Sequence, residues 1–238
     1  MRDYTNKNNS NVGAQAKTSE YDEGLRAYML KVYNHMSVGI AITGVMAYLV
    51  ANTPALLQML FSGPQAYIVM FAPLVFVWVF SAKVHKMSES AARTCFYAFA
   101  ALMGLSLSTI LLAYTGESVA KTFFITASMF GAMSIYGYTT KKDLTGMGSF
   151  LFMGVIGLVI AMVVNIFLAS SALQFAISAA GVLIFTGLTA YDSQKIKNNY
   201  FMVGANQLGK AAIMGALTLY LDFINLFIFL LRLIGDRR

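Results

Sequence analysis

One carboxylate sits where a surface residue would not. From Ala211 to Leu231 the sole Asp, Glu, Lys or Arg is Asp222, set in Leu219-Tyr220-Leu221-Asp222-Phe223-Ile224-Asn225-Leu226-Phe227. If that segment crosses a bilayer, an ionised group near its middle costs about 2.5–3.5 kcal/mol on insertion scales. The cost has to be offset by a partner, by water or by protonation. Arg232 lies ten residues on, about 15 Å along a helix and out of reach. Asn225 lies three residues on and shares the helix face, so it is a candidate supporting contact. An ionisable partner must come from another helix. The best candidate is Asp192, in Tyr191-Asp192-Ser193-Gln194-Lys195-Ile196-Lys197. Two carboxylates brought together at low dielectric do not both ionise easily, and the pair shares a proton. Such a pair responds to pH and offers hard oxygen ligands to a cation. Two plainer readings stay open: Asp192 as an interfacial residue paired with Lys195 or capping a helix end, and Asp222 as a structural acid satisfied by a neighbouring Tyr or Asn.

Other chemistry is sparse. His35 and His85 are the two histidines, without Cys or Glu at metal-ligand spacing. Cys95 is the single cysteine, which excludes an internal disulfide and a Cys-rich metal site. No HExxH, GxSxG, GxGxxG or Walker pattern occurs. Serines have no histidine placed to activate them, so the chain reads as a non-enzyme without a bound cofactor. Asn165 is read first as a satisfied interhelical hydrogen bond and second as pore lining. Glu117 and Lys121 fall at helical spacing and read as an outer pair.

The elements that must carry these residues follow from composition. Of 238 residues, 58% are hydrophobic and 11% charged, with a mean hydropathy of +0.66. Soluble domains carry roughly 25% charged residues, so a soluble globule and a disordered chain are excluded. The net charge of +7 is the Lys/Arg excess of cytoplasmic loops rather than a nucleic-acid footprint, since the basic residues are scattered among short connections. No Asp, Glu, Lys or Arg occurs in residues 32–82, 94–116, 122–140 or 144–191. A spanning helix needs about 20 apolar residues. The first stretch holds two, divided at Pro54 and Gly63-Pro64, and the fourth holds two, divided at Ser170-Ser171. The reading is an all-α integral membrane protein of seven helices over 32–51, 65–82, 94–114, 119–138, 147–168, 172–193 and 211–233. Residues 1–31 form a polar N-terminal tail and 32–238 the transmembrane domain.

Lys and Arg set the orientation. The tail carries Arg2, Lys7, Lys17, Arg26 and Lys31; alternate connections carry Lys83, Lys86 and Arg93, then Lys141 and Lys142, then Lys195, Lys197 and Lys210. The N-terminus is therefore expected in the cytoplasm. Seven crossings would leave Arg232, Arg237 and Arg238 on the outer side. The competing reading is a re-entrant last segment, and seven crossings are favoured because 21 residues suffice.

Three motifs carry a resemblance. The segment from Leu219 to Phe227, followed by Leu230-Leu231-Arg232, resembles the closing signature of the Bax inhibitor family. Tyr191-Asp192 with Gln194, Lys195 and Ile196 resembles its sixth-helix motif. Gly137-Tyr138-Thr139-Thr140-Lys141-Lys142-Asp143-Leu144 resembles the loop before the fifth helix in its bacterial branch. The resemblance covers roughly residues 25–235. It implies a last helix at the centre of the bundle, wrapped by the other six, with Asp192 and Asp222 as a di-aspartyl pH sensor and gate. It implies a pH-dependent calcium leak across the bacterial inner membrane, calcium being the permeant ion and both aspartates its transient contacts. In a bacterial relative an arginine ending the second helix latches the sixth-helix aspartate. Here Phe80-Ser81-Ala82-Lys83-Val84-His85-Lys86 has no arginine. Lys83 and Lys86 are the available substitutes, and lysine lacks the bidentate fork. Another bacterial branch is known as a partner of a membrane-bound AAA protease, acting through the N-terminal tail. The alternative expectation is thus a non-transporting modulator of membrane-protein proteolysis.

Overall fold

The computed structural model describes the backbone of residues 4–238 and the side chains of residues 23–238. Eight α-helices follow one another: α1 (Tyr4–Ala51), α2 (Pro54–Phe61), α3 (Gln65–Lys83), α4 (Glu89–Ala113), α5 (Gly116–Thr139), α6 (Thr145–Leu168), α7 (Ser171–Asn199) and α8 (Leu208–Ile234). Seven of them are long and apolar enough to cross a membrane; α2 is a short helix between the first two crossings. This is the expected multi-pass, all-helical architecture.

Local chemistry sets the helix starts. Ser88, Thr115 and Ser170 each accept an N–H of the first turn, from Ala91, Ser118 and Leu173. These caps satisfy donors that a helix cannot satisfy itself. The break between α6 and α7 falls beside Ser170-Ser171, where Ala169 takes a left-handed conformation with φ 47°.

The spans run past their expected bounds, and the first and sixth show why. The first helix runs through residue 32 without a break, and Leu25, Tyr28 and Met29 are buried with Val32 in the core. The boundary drawn at residues 31/32 therefore lies inside α1. The charges at Arg26 and Lys31 hid this, because a helix can keep them on its exposed face while its other face packs. Residues 1–3 of the expected tail, and the side chains of 4–22, lie outside the described residues. The sixth span continues to Asn199, six residues past the expected end.

The last helix is central. In α8, 67% of the most apolar stretch is buried, against 11–39% in the other spans. It packs directly on α1, α4, α5 and α7, while α3 rests on α4 and α6 on α7 as an outer layer. Tyr220 shows why α8 holds this place. Its ring meets Phe96 and Phe99 edge-on, with centroids 5.7 and 5.8 Å away, and its hydroxyl bonds Thr43 Oγ1 at 2.6 Å. Thr43 in turn donates to a backbone carbonyl, with Ala100 O at 2.8 Å. One buried polar group thus ties α1, α4 and α8 together.

The last helix runs the length of the bundle. After α8, Asp236 O accepts from Thr115 N at 3.0 Å, and Arg238 N donates to Ala113 O at 3.1 Å. The C-terminus is pinned to the α4–α5 turn, at the end of the bundle opposite the loops bearing Lys83, Lys141, Lys142 and Lys210. This favours the seven-crossing reading over a re-entrant segment, because the last helix reaches the far end.

Candidate functional site

Asp192 and Asp222 lie on α7 and α8, and α7 is the helix packed most extensively on the central α8. Small residues permit the close approach. A Cβ on Gly181 would land on the Phe229 ring, and one on Gly215 would sit 3.0 Å from Ile196. The register so fixed leaves Asp222 within about one helical turn of the level of Asp192. Side chains lean toward the N-terminus of their own helix, which in an antiparallel pair closes such an offset.

The two carboxyl groups face each other closely enough to interact directly. Asp192 is 8% exposed and Asp222 5%, so neither is solvated in the ordinary way. Carboxylates only accept, so the contact holds only when a proton sits between them. One oxygen, Asp222 Oδ2, is buried without any hydrogen-bond partner, as is the neighbouring Ser193 Oγ. Lys195, one turn along α7, is the positive charge beside Asp192, and its ammonium also lies 5.7 Å from the Tyr191 ring centroid. Among the described residues no group of three or more His, Cys, Asp or Glu is gathered. The pair therefore stands as two buried carboxyls on facing helices.

The remaining candidates are placed differently. Asn225 donates to Leu221 O of its own helix at 2.8 Å rather than to Asp222. A carbonyl four residues back is always within reach of that amide, and it wins. Lys83 and Lys86 are exposed at the end of α3, which packs on α4 rather than α7, so the positive charge beside Asp192 comes from Lys195 on its own helix. Tyr191 is half-buried against α6, its ring filling the space where Gly148 has no side chain. His35 shares a 2.8 Å hydrogen bond with Tyr97. Asn165 makes a local bond, Oδ1 accepting from Ser170 N at 3.1 Å, rather than the expected interhelical one.

Two residues beside the pair have roles that spacing did not reveal. Gln194 Oε1 accepts from Leu144 N at 2.9 Å while its Nε2 donates to Lys142 O at 2.7 Å. Lys197 Nζ donates to Tyr138 O at 2.7 Å and lies 5.3 Å from the Tyr138 ring centroid. Both strap the α5–α6 connection onto the end of α7. The place of Gln194 in the sixth-helix motif was the only signal. In that connection Asp143 Oδ1 accepts from Thr145 N at 2.9 Å and from Thr145 Oγ1 at 2.6 Å. These bonds hold its exposed carboxyl below the usual carboxylate range.

On the far side of the pair, a cavity of about 640 Å³ opens among α4, α6, α7 and α8 and reaches Ser178 and Ile228. Ser178, Phe185 and Asp192 fall seven residues apart on one face of α7. The buried Phe185 stacks on Phe229, with centroids 5.7 Å apart, and lies between the cavity and the carboxyls.

Comparison with known proteins places the chain among bacterial membrane proteins. The family model described as "Inhibitor of apoptosis-promoting Bax1" matches residues 25–238. The inner membrane protein YbhL of Escherichia coli is 48% identical over 219 residues, covering 90% of this chain and 94% of the relative. An uncharacterised protein of Rickettsia prowazekii is 48% identical over 239 residues, covering both chains fully. An uncharacterised membrane protein of Streptococcus pyogenes is 37% identical over 220 residues, covering 91% of this chain and 96% of the relative.

Proposed function

The chain belongs to the Bax inhibitor family, and from that membership we propose that it is a pH-sensitive calcium leak channel of the bacterial inner membrane, gated by Asp192 and Asp222. The carrying observation is the buried carboxyl contact between α7 and α8, with one unpartnered oxygen at Asp222. Two carboxyls fall far short of the six to eight oxygens of a tight calcium site. That suits a permeant ion, which must leave as readily as it enters. The Phe185–Phe229 stack supplies the apolar seal of the closed form. A relative named as an inner membrane protein supports the location, and the Lys-rich connections support a cytoplasmic N-terminus.

The sign of the pH response follows from the shared proton. With one proton, the contact is a charge-assisted hydrogen bond, the strong kind. A second proton leaves a weaker neutral pair, and loss of the first leaves two facing charges. The closed contact is tightest in the singly protonated window and loosens on either side. Calcium flux into proteoliposomes between about pH 6 and pH 8 should therefore pass through a minimum or rise away from one. Asp192→Asn and Asp222→Asn should each flatten the profile. Flux that keeps its pH profile in Asp222→Asn would overturn the gate. No flux above empty liposomes at any pH would move the weight to modulation of a membrane-bound AAA protease, tested by substrate turnover after deletion of residues 1–24.

A further inference from the structure

The far cavity carries positive charge that the carboxyl pair does not explain. Arg232, from the last turn of α8, and Arg237, from the pinned C-terminal segment, both line it. Thr109, Asn165, Gln174 and Ser178 supply its other polar groups, and no carboxylate lines it. Most of its hydrogen-bonding capacity is donor capacity. The Ser178 and Thr109 hydroxyls already donate to Gln174 O and Ser106 O, leaving their lone pairs. Asn165 uses its oxygen on Ser170 N, which leaves its amide NH₂ to donate. Arg237 is held in place by the backbone bonds of Asp236 and Arg238 and by the Tyr114 ring, 5.8 Å from its guanidinium carbon. A preorganised guanidinium loses little freedom on binding.

We propose that this cavity is a phosphate site, in which the phosphate of a membrane phospholipid is held between the Arg232 and Arg237 guanidiniums. Arginine forks match phosphate oxygens two at a time. The bilayer is the favoured source. The cavity lies at the end of the spans, where lipid headgroups are, and Ile166 on its rim is 76% exposed on the outer face of α6. A headgroup can seat between the arginines while its acyl chains run along α6 past Phe167, itself 84% exposed. Occupation would also neutralise a mouth that otherwise repels cations. The site does not depend on whether the bundle conducts calcium.

Native mass spectrometry of the full chain, with phosphatidylglycerol or phosphatidylcholine added at equal concentration, reads the occupancy directly. Retention of phosphatidylglycerol should fall about tenfold in Arg232→Gln/Arg237→Gln, as expected for loss of charge-assisted bonds. Arg237→Gln alone lies outside every helix and should lose part of that retention, so a misfolded double variant still leaves a decisive measurement. Unchanged retention in Arg237→Gln, or equal retention of the two lipids by the wild type with no loss in the variants, overturns the site. Inorganic phosphate that raises the melting temperature of the wild type and displaces phosphatidylglycerol would keep the chemistry and overturn the lipid as its source.

Discussion

In the proposed gate, the carboxyl contact at the centre of the bundle is held by a proton rather than by a counter-ion. Lys195 is its positive neighbour, and it sits on the same helix as Asp192. This makes the pair sensitive to what removes or adds a proton and insensitive to distant surface charge. Asp143 supplies the control. Its carboxyl is exposed, and its bonds to Thr145 hold it ionised below the usual carboxylate range. Its contribution is present above the ordinary carboxylate value and lost only as pH falls through its lowered one. Asp143→Asn should therefore leave the flux profile between about pH 6 and pH 8 unchanged, while Asp222→Asn flattens it. Gln194 answers a different question. Gln194→Ala would strip the partners from Leu144 N and Lys142 O in one step. An abandoned buried partner costs about 1–3 kcal/mol, and the lowered melting temperature in detergent should appear without any loss of the aspartate contact. The sequence singled out Asp222 because an acid in an apolar segment is conspicuous, and Asp192 as its candidate partner. Gln194 is an unremarkable glutamine until the α5–α6 connection is folded against it.

At the scale of elements, close helix approach decides where side chains meet. A Cβ at Gly137 on α5 would collide with the backbone of Ala190 on α7, two residues before Asp192. Backbone cannot swing aside as a flexible side chain can, so the helices must separate. Gly137→Ala is expected to cost about 1–3 kcal/mol, the range of overpacked interiors, and to shift the pH profile by moving α7 against α8. A thermal unfolding series paired with flux would check both, and a shift in neither would show that α5 does not set the α7–α8 spacing. The existence of these helices was legible in the charge-free stretches. The start of the first was not, because Arg26 and Lys31 interrupt the apolar pattern while Leu25, Tyr28 and Met29 pack inward. The end of α7 was masked likewise by Lys195 and Lys197, one of which donates to Tyr138 O.

At the scale of the molecule, α8 sits at the centre and its tail is tied to the α4–α5 turn. The two ends of the bundle differ in chemistry: lysine-bearing connections at one, and a cavity with Arg232 and Arg237 at the other. With Cys95 replaced by serine, single cysteines at Lys142→Cys and Arg238→Cys should be labelled by a membrane-impermeant thiol reagent from opposite sides of right-side-out vesicles. Labelling of both from one side would restore the re-entrant last segment and remove the far cavity from the outer face.

Composition and spacing alone determined that the chain is a seven-span helical membrane protein and that Asp222 lies in an apolar segment, because charge is too costly in a bilayer to be scattered there without pattern. They also proposed Asp192 as partner, though nothing in a linear sequence measures a distance between helices. Only the tertiary structure brought the two carboxyls together, turned Asn225 back onto its own helix, left Lys83 and Lys86 on the exposed end of α3 and gathered two arginines into one cavity. Those outcomes depend on helix register and packing depth. Both are set by residues such as Gly137, Gly181 and Tyr220, whose importance lies in what they touch.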